Sequence, residues 1–310
     1  MTRPSTKCIL FGIILLFIFC NITLSEESET KDKRFIFRKN IISESLLKEE
    51  IPDDISNRKF GIGVKIMGGG NYIAVGDLNS DIKGYTDNIT DLSGVSPQGE
   101  AKPIHFGLSF EGQIQVDLFD KFGIFFGAGY IQTKKESQLI YEVESQTLKV
   151  KYFPKVSTIP IKAGIYYYPL KRLYINLGLD YYVAECSYSR RLEYETIWVE
   201  TVGNADGKGL GFHGGVGVEF PLSKNFIFLI EAQGKYAKVG NFKGKREYIS
   251  NLMPQSEEEG YLYYYETQRG NKTYGAVTIS EIEPLEGSNV RKAEVDFGGF
   301  AIVCGVKIRL

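Results

Sequence analysis

Leu173-Tyr174-Ile175-Asn176-Leu177-Gly178-Leu179-Asp180-Tyr181-Tyr182-Val183-Ala184 decides how the chain is read. Leu, Ile, Leu, Leu, Tyr and Val alternate with Tyr, Asn, Gly, Asp, Tyr and Ala. Side chains along a strand point to opposite faces at period two. The stretch is therefore a strand with one apolar and one polar face.

Seven further segments repeat the pattern. They are Phe60 to Tyr72, His105 to Leu118, Phe122 to Gln132, Val156 to Tyr168, Gly209 to Phe220, Phe226 to Lys238 and Val295 to Leu310. The links after the second, fourth and sixth are short, as at Asp120-Lys121, Pro169 to Arg172 and Ser223-Lys224-Asn225. The links after the first, third, fifth and seventh are long and polar, the longest running from Val239 to Lys292. Loops of that length are unusual in a compact soluble domain. Short turns at one rim and long loops at the other are the habit of a membrane barrel. The expected fold is all-β: a closed antiparallel up-and-down transmembrane β-barrel of about eight strands over residues 59–310.

Alternation alone does not say which face is inside, because a soluble sheet turns its apolar face inward. Three features turn the apolar face outward here. The polar face is rich in glycine, which weakens strands exposed to water but leaves room for large neighbours in a narrow barrel. Aromatic residues stand at both ends of the apolar face. Phe60, Phe122, Tyr167, Phe220 and Phe226 lie near the tight turns, and Phe106, Tyr130, Tyr181 and Tyr236 near the long loops. Phe226 to Tyr236 rises roughly 33 Å along a strand, which a ~40° tilt projects to ~25 Å, the height of a lipid-facing band. Finally, the chain ends inside a strand.

Residues 1–25 read as a secretory signal peptide: Arg3 and Lys7, an apolar core from Ile9 to Phe19, then Thr23 and Ser25. The apolar run is short for a spanning helix, which needs ~20 residues; an uncleaved anchor is the rival. Phe19 is bulky where a lipoprotein site at Cys20 would want a small residue. No later run approaches a spanning helix. Residues 26–58 are a charged extension or linker. Ile42, Leu46 and Leu47 have helical spacing before Pro52, so a short helix that plugs the barrel or touches the inner rim is the alternative.

The chain has 37 Lys+Arg against 38 Asp+Glu, leaving no basic excess to neutralise nucleic-acid phosphates. Removal of the leader leaves Cys186 and Cys304, on strands that are not sequence neighbours, and a bridge between them is not expected.

Gly305-Val306-Lys307-Ile308-Arg309-Leu310 resembles the C-terminal assembly signal of bacterial outer-membrane barrels, carried here by Gly305, Ile308 and Leu310. Leu310 stands where that family usually has phenylalanine or tryptophan. Together with Ile159 to Tyr168, the segment is similar to the small outer-membrane β-barrel domain family of about eight strands. The resemblance implies a Gram-negative cell envelope, insertion by the outer-membrane assembly machinery, and outer-membrane lipid as a partner. It implies no single activity.

The inward face carries Lys65, Glu111, Asp117, Lys162, Asp180, Glu219, Glu231, Lys235, Lys307 and Arg309. Buried charges must be paired, so the first expectation is an ion-pair network that fills the lumen. A narrow conducting path, kept open by the glycines, is the alternative. His213 falls in the inward phase, and no G-x-S-x-G motif accompanies it. Asp77-Leu78-Asn79-Ser80-Asp81 resembles the start of a calcium loop, but Ile82 and Asn88 stand where glycine and glutamate are required. That stretch and Glu257-Glu258-Glu259 read as solvated loops, and no metal or cofactor is expected. Tyr261-Leu262-Tyr263-Tyr264-Tyr265 is either a hairpin extending above the membrane or a binding surface.

The expected role is a non-enzymatic outer-membrane scaffold whose loops face outside and are available to a partner or ligand. A narrow porin-like channel, a lipid-modifying barrel enzyme and a soluble periplasmic barrel follow in that order.

Overall fold

Alternating segments form antiparallel strands because period-two side chains give each strand one face to bury. The computed structural model describes residues 61–143, 146–285 and 287–310. The leader, the 26–58 extension with its helix expectation, and Phe60 lie outside the described residues.

The strands are β1 (Gly61–Ile73), β2 (Phe106–Phe119), β3 (Phe122–Lys134), β4 (Ser137–Val143), β5 (Gln146–Tyr167), β6 (Leu173–Tyr194), β7 (Ile197–Pro221), β8 (Phe226–Ser250), β9 (Ser256–Arg269), β10 (Lys272–Ser280), β11 (Ser288–Lys292), β12 (Val295–Asp296) and β13 (Gly299–Arg309). One helix, α1 (Asp77–Ser93), follows β1.

Eight strands close into a ring in the order β1-β2-β3-β5-β6-β7-β8-β13, all antiparallel to their neighbours. The ring shuts between β13 and β1, from Gly63 opposite Arg309 to Ile73 opposite Gly299. The tight turns at one end fall where the sequence places them. Closure removes the exposed edge that an open sheet would present.

The opposite end departs from expectation. The links after β6 and β8 are not long loops, because the strands themselves continue. β6 runs on to a turn at Glu195-Thr196, and β7 and β8 each reach 25 residues. Above the ring, β4 adds to β5, and β9 adds to β8. β10 and β11 then add to β9. Glu257-Glu258-Glu259 is part of β9 rather than a loop, with Lys245 Nζ 2.6 Å from Glu257 and 2.7 Å from Glu259 and Arg246 on Glu258. Tyr261 to Tyr265 lies in the β9–β10 hairpin.

The faces exchange character along the long strands. The outward face of β6 is Ile175, Leu177, Leu179, Tyr181 and Val183, then Glu185, Ser187, Ser189, Arg191 and Glu193. Its inward face is Tyr174, Asn176, Asp180 and Tyr182, then Ala184, Cys186 and Tyr188. β8 does the same, passing inward from Glu231, Gln233 and Lys235 to Ala237, Val239 and Phe242, and outward from Tyr236 to Lys238. The tight-turn half is therefore polar inside and apolar outside, and the other half is apolar inside and polar outside. The apolar interior of the second half forms the main core.

Candidate functional site: a filled lumen and a capped chamber

In the tight-turn half the inward phase brings the predicted charges together. Lys65, Glu111, Asp117, Lys162, Asp180, Glu219, Glu231, Lys235 and Lys307 are all buried. Lys162 Nζ donates to Glu111 Oε2 at 2.6 Å. Lys307 Nζ lies 3.5 Å from Glu219 Oε1 and 3.7 Å from Asp117 Oδ2. Glu231 accepts from Tyr174 Oη at 2.6 Å, Asn176 Nδ2 at 2.7 Å and Gln233 Nε2 at 2.8 Å. His213 Nδ1 is 2.7 Å from Asp180 Oδ1, and Tyr182 Oη donates to Asp180 Oδ2 at 3.1 Å. Lys65 sits over two rings, 3.8 Å from the Tyr166 centroid and 4.3 Å from that of Tyr174. Such a contact substitutes a quadrupole for a counter-ion. Arg309 differs from the set: it is only half-buried, at the tight-turn rim.

On the lumen face, the space left by glycine is taken up by neighbouring side chains. A Cβ on Gly217 would stand 2.2 Å from Tyr174 Cζ, and one on Gly63 would stand 2.8 Å from Lys307 Cε. The room that glycine leaves is occupied by the neighbour's tyrosine or lysine. Interior side chains can nearly fill a ring of eight strands, and here most of the buried charges have a hydrogen-bonded or ion-paired partner.

On the outside, Phe106, Phe122, Tyr130, Tyr167, Tyr181, Phe220, Phe226 and Tyr236 are all exposed. So are Ile66, Leu108, Phe110, Phe126, Leu177, Leu179 and Leu210 between them, each above half of its full area. This belt far exceeds the few hundred Å² of contiguous apolar surface usual on a soluble monomer. In the proposed assembly segment, Gly305 lets β13 approach β1, where a Cβ would fall 2.1 Å from Ile66 O. Ile308 is half-buried, and Leu310 is exposed. Cys186 is inside the upper chamber and Cys304 lies on β13, with β7 and β8 between their strands in the ring.

The sequence reading missed the upper chamber. Asp77 to Asp81 is not a solvated loop; it opens α1. Leu78, Ile82, Tyr85 and Ile89 recur at helical spacing and make the helix's packed face. α1 fills the gap between the wall's two edges, β4 and β10. Ile89 packs with Leu139 and Tyr141 on one side. On the other, Gly84 lies so close to Gly275 that a Cβ would fall 2.0 Å from its carbonyl oxygen. Gly94, in the left-handed region at φ 66°, ends the helix and donates to Thr90 O at 3.0 Å.

The acidic residues that suggested a calcium loop are spent on holding the helix. Asp77 takes both Arg291 Nη atoms at 2.6 Å and the Glu294 N–H at 2.8 Å. Asn79 bonds the Ala74 and Ile104 carbonyls and accepts from Ile104 N. Asp81, fully buried, accepts from Arg190 Nη2 at 2.7 and 2.8 Å, from Val277 N at 2.9 Å and from Tyr152 Oη. Arg190 also donates to Val277 O at 2.9 Å and lies 4.7 Å from the Tyr188 ring centroid. Burial works against the Arg190 charge, but Asp81 beside it holds the guanidinium protonated. Burial pushes the Cys186 thiol up to about 12. At the far end of α1, Asp91 meets Lys272 Nζ at 2.7 Å and Tyr274 Oη. These hydrogen bonds lower the carboxyl's pKa.

No family model matches the chain, and no curated relative does. Among solved structures, the outer membrane protein OprG from Pseudomonas aeruginosa is similar over 83% of this chain and 99% of its own, at 12% identity and a TM-score of 0.29. That likeness is slight, and the ring's geometry stands without it.

Proposed function

We propose that the chain is an outer-membrane β-barrel protein, with its tight-turn half in lipid and its other half standing in water outside the cell. The exchange of faces along β6 and β8 carries this reading. Within one strand and on one outward face, Leu177, Leu179 and Tyr181 give way to Glu185, Ser187 and Arg191. An outward face follows the solvent it meets. The first run suits hydrocarbon, and the second suits water. A barrel soluble throughout has no reason to change sides part-way up.

Its role is non-enzymatic. The tyrosine-packed lumen, with most of its charges paired, favours a sealed support over a channel. His213 faces Asp180 inside that lumen, away from any lipid-facing surface where a lipid-modifying reaction would occur. The braced wall above, with Trp198 under Arg191, the exposed Leu252 and Met253 in the β8–β9 link and the exposed Ile282 and Leu285 in the β10–β11 link, is a platform for an extracellular partner.

Outer-membrane fractionation tests the reading, with gel mobility in detergent before and after boiling. A membrane-bound band that shifts on heating is expected. Release by osmotic shock without detergent overturns it. In planar bilayers the sealed support gives no steady conductance, and a defined unitary current reinstates the narrow channel.

A further inference from the structure

The belt's edge on the side away from the tight turns is not uniform. On β13, β1 and β2 the outward face ends in an aromatic cluster. Tyr72 stacks on Phe300 with centroids 5.3 Å apart and meets Phe106 edge-on at 5.4 Å. On the rest of the ring the apolar run gives way to charge. On β3, the outward residues Tyr130 and Gln132 are followed by Lys134. On β5, Ile159 and Ser157 lead to Lys155. On β7, Phe212 and Leu210 lead to Lys208. On β8, Tyr236 leads to Lys238. Four strands thus share one first charge, and it is lysine each time. Only β6, between them, offers Glu185.

The pairing register groups these lysines in twos. Lys134 and Lys155 are directly opposite each other across β3 and β5. Like charges in that position destabilise a strand pair. Lys208 stands opposite Gly240 on β8, so Lys238 is its diagonal neighbour, within reach of long side chains at ~7–8 Å. Acidic groups also stand nearby, among them Glu294, whose Cγ would lie 3.6 Å from a Cβ on Gly240, the residue opposite Lys208. Glu185 Oε2 lies 3.8 Å from Lys155 Nζ, Asp206 is two residues from Lys208 on the same face, and Asp296 is opposite Lys238. Asp296 Oδ1 also accepts the Gly298 N–H at 2.7 Å. Lysine stems lie along apolar surface while the ammonium reaches a polar boundary. Two ammonium groups held together there suit an anion that the apolar belt itself brings alongside.

We propose that the pairs Lys134–Lys155 and Lys208–Lys238 each bind the phosphate of an anionic lipid headgroup at the outward edge of the belt. The inference rests on the membrane-spanning reading. It adds that the lipid shell is selective, and that one arc of the ring carries the selectivity.

The test uses the full exported chain folded into phosphatidylcholine vesicles. Each vesicle carries trace spin-labelled phosphatidylglycerol or spin-labelled phosphatidylcholine, and the motionally restricted fraction of each label gives their relative association. Juxtamembrane lysines attract anionic lipid by an amount worth about five-fold in association each at most. The parent chain is expected to favour phosphatidylglycerol. K134Q/K155Q/K208Q/K238Q should lose at least about half of that preference, although Lys121, Lys171, Arg172 and Lys224 at the tight-turn rim stay in place. The matching set of Lys→Arg variants should keep it, and each pair replaced alone should fall between.

Lys134, Lys208 and Lys238 are exposed and Lys155 is half-buried, and removing the Lys134–Lys155 repulsion does not threaten the strand pair. A heat-modifiable band checks folding of each variant. Equal preference in the parent and the glutamine variant overturns the proposal, as does a parent with no preference. Lysine-dependent selectivity that millimolar inorganic phosphate abolishes also overturns it, in favour of a free-anion site. A chain that restricts neither label and stays soluble without detergent overturns the membrane reading itself.

Discussion

Replacing Arg190 with methionine should uncap the upper chamber while leaving the ring intact. Asp81 is fully buried and loses its two bonds from Arg190 Nη2, keeping only those from Val277 N and Tyr152 Oη. Removing one partner of a buried ion pair costs about 3–5 kcal/mol, because the other charge is left uncompensated. The cost falls on α1, the element that Asp81 anchors. The ring's own ladders and lumen pairs are untouched. Opening of α1 should therefore become about two to four orders of magnitude more frequent.

Cys186 reports that opening. It lies in the core beneath α1, and burial pushes its thiol up to about 12, so it resists alkylation while the helix is seated. In a C304S background, maleimide labelling at pH 7, with the site located by mass spectrometry, should accelerate by that factor in R190M. D81L/R190M, which replaces the pair by apolar groups, should return most of the way to the parent rate, since such swaps are often neutral. Labelling of R190M at the parent rate would refute the assignment of Asp81–Arg190 as the anchor. Equal acceleration in the double variant would show that Arg190 acts through its Tyr188 stacking instead.

Gly84→Ala should also accelerate Cys186 labelling, although alanine favours a helix by ~1 kcal/mol, because its Cβ would meet the Gly275 carbonyl 2.0 Å away. In the lumen, Glu111→Gln leaves Lys162 without its 2.6 Å partner. It should cost about 3–5 kcal/mol, read as a lower temperature for the gel-mobility shift, while E111L/K162M recovers much of the loss. The Asp91 carboxyl is lowered by its hydrogen bonds from Lys272 and Tyr274. Its clamp is present above the ordinary carboxylate value and is lost as pH falls through the lowered one. Amide exchange in the last turn of α1, corrected for intrinsic rate, should therefore rise at the acid end of that window and stay flat from pH 5 to 7.

The ring was legible because its alternate residues are apolar on the outward face and polar on the lumen face. Leu173 to Ala184 and Phe226 to Lys238 carry that contrast undiluted, and the lumen charges followed from phase alone. The long connections were illegible for the converse reason. Beyond Val183 the outward residues Glu185, Ser187, Ser189 and Arg191 face inward partners such as Cys186, Tyr188 and Arg190, so both faces contain polar groups and the alternation fades. The helix left a clear signal, the spacing of Leu78, Ile82, Tyr85 and Ile89. It was hidden by Asp77, Asn79 and Asp81, whose partners Arg291, Ile104 and Arg190 come from distant parts of the sequence. The Lys134–Lys155 pair was beyond reach for a similar cause, since it depends on register across two strands.

The exchange of faces also guards the assembly of the wall. A slip of one residue in a strand's pairing turns every side chain to the other side. In an ordinary sheet that error is judged by one environment. Here a slip of β6 would turn Asp180 and Asn176 out into the apolar belt and, on the same strand, turn Tyr188 and Cys186 out among polar residues while drawing Glu185 and Arg191 into the apolar core. No single solvent could forgive both ends at once. A chain built this way proofreads its own alignment twice, from opposite ends and by opposite rules.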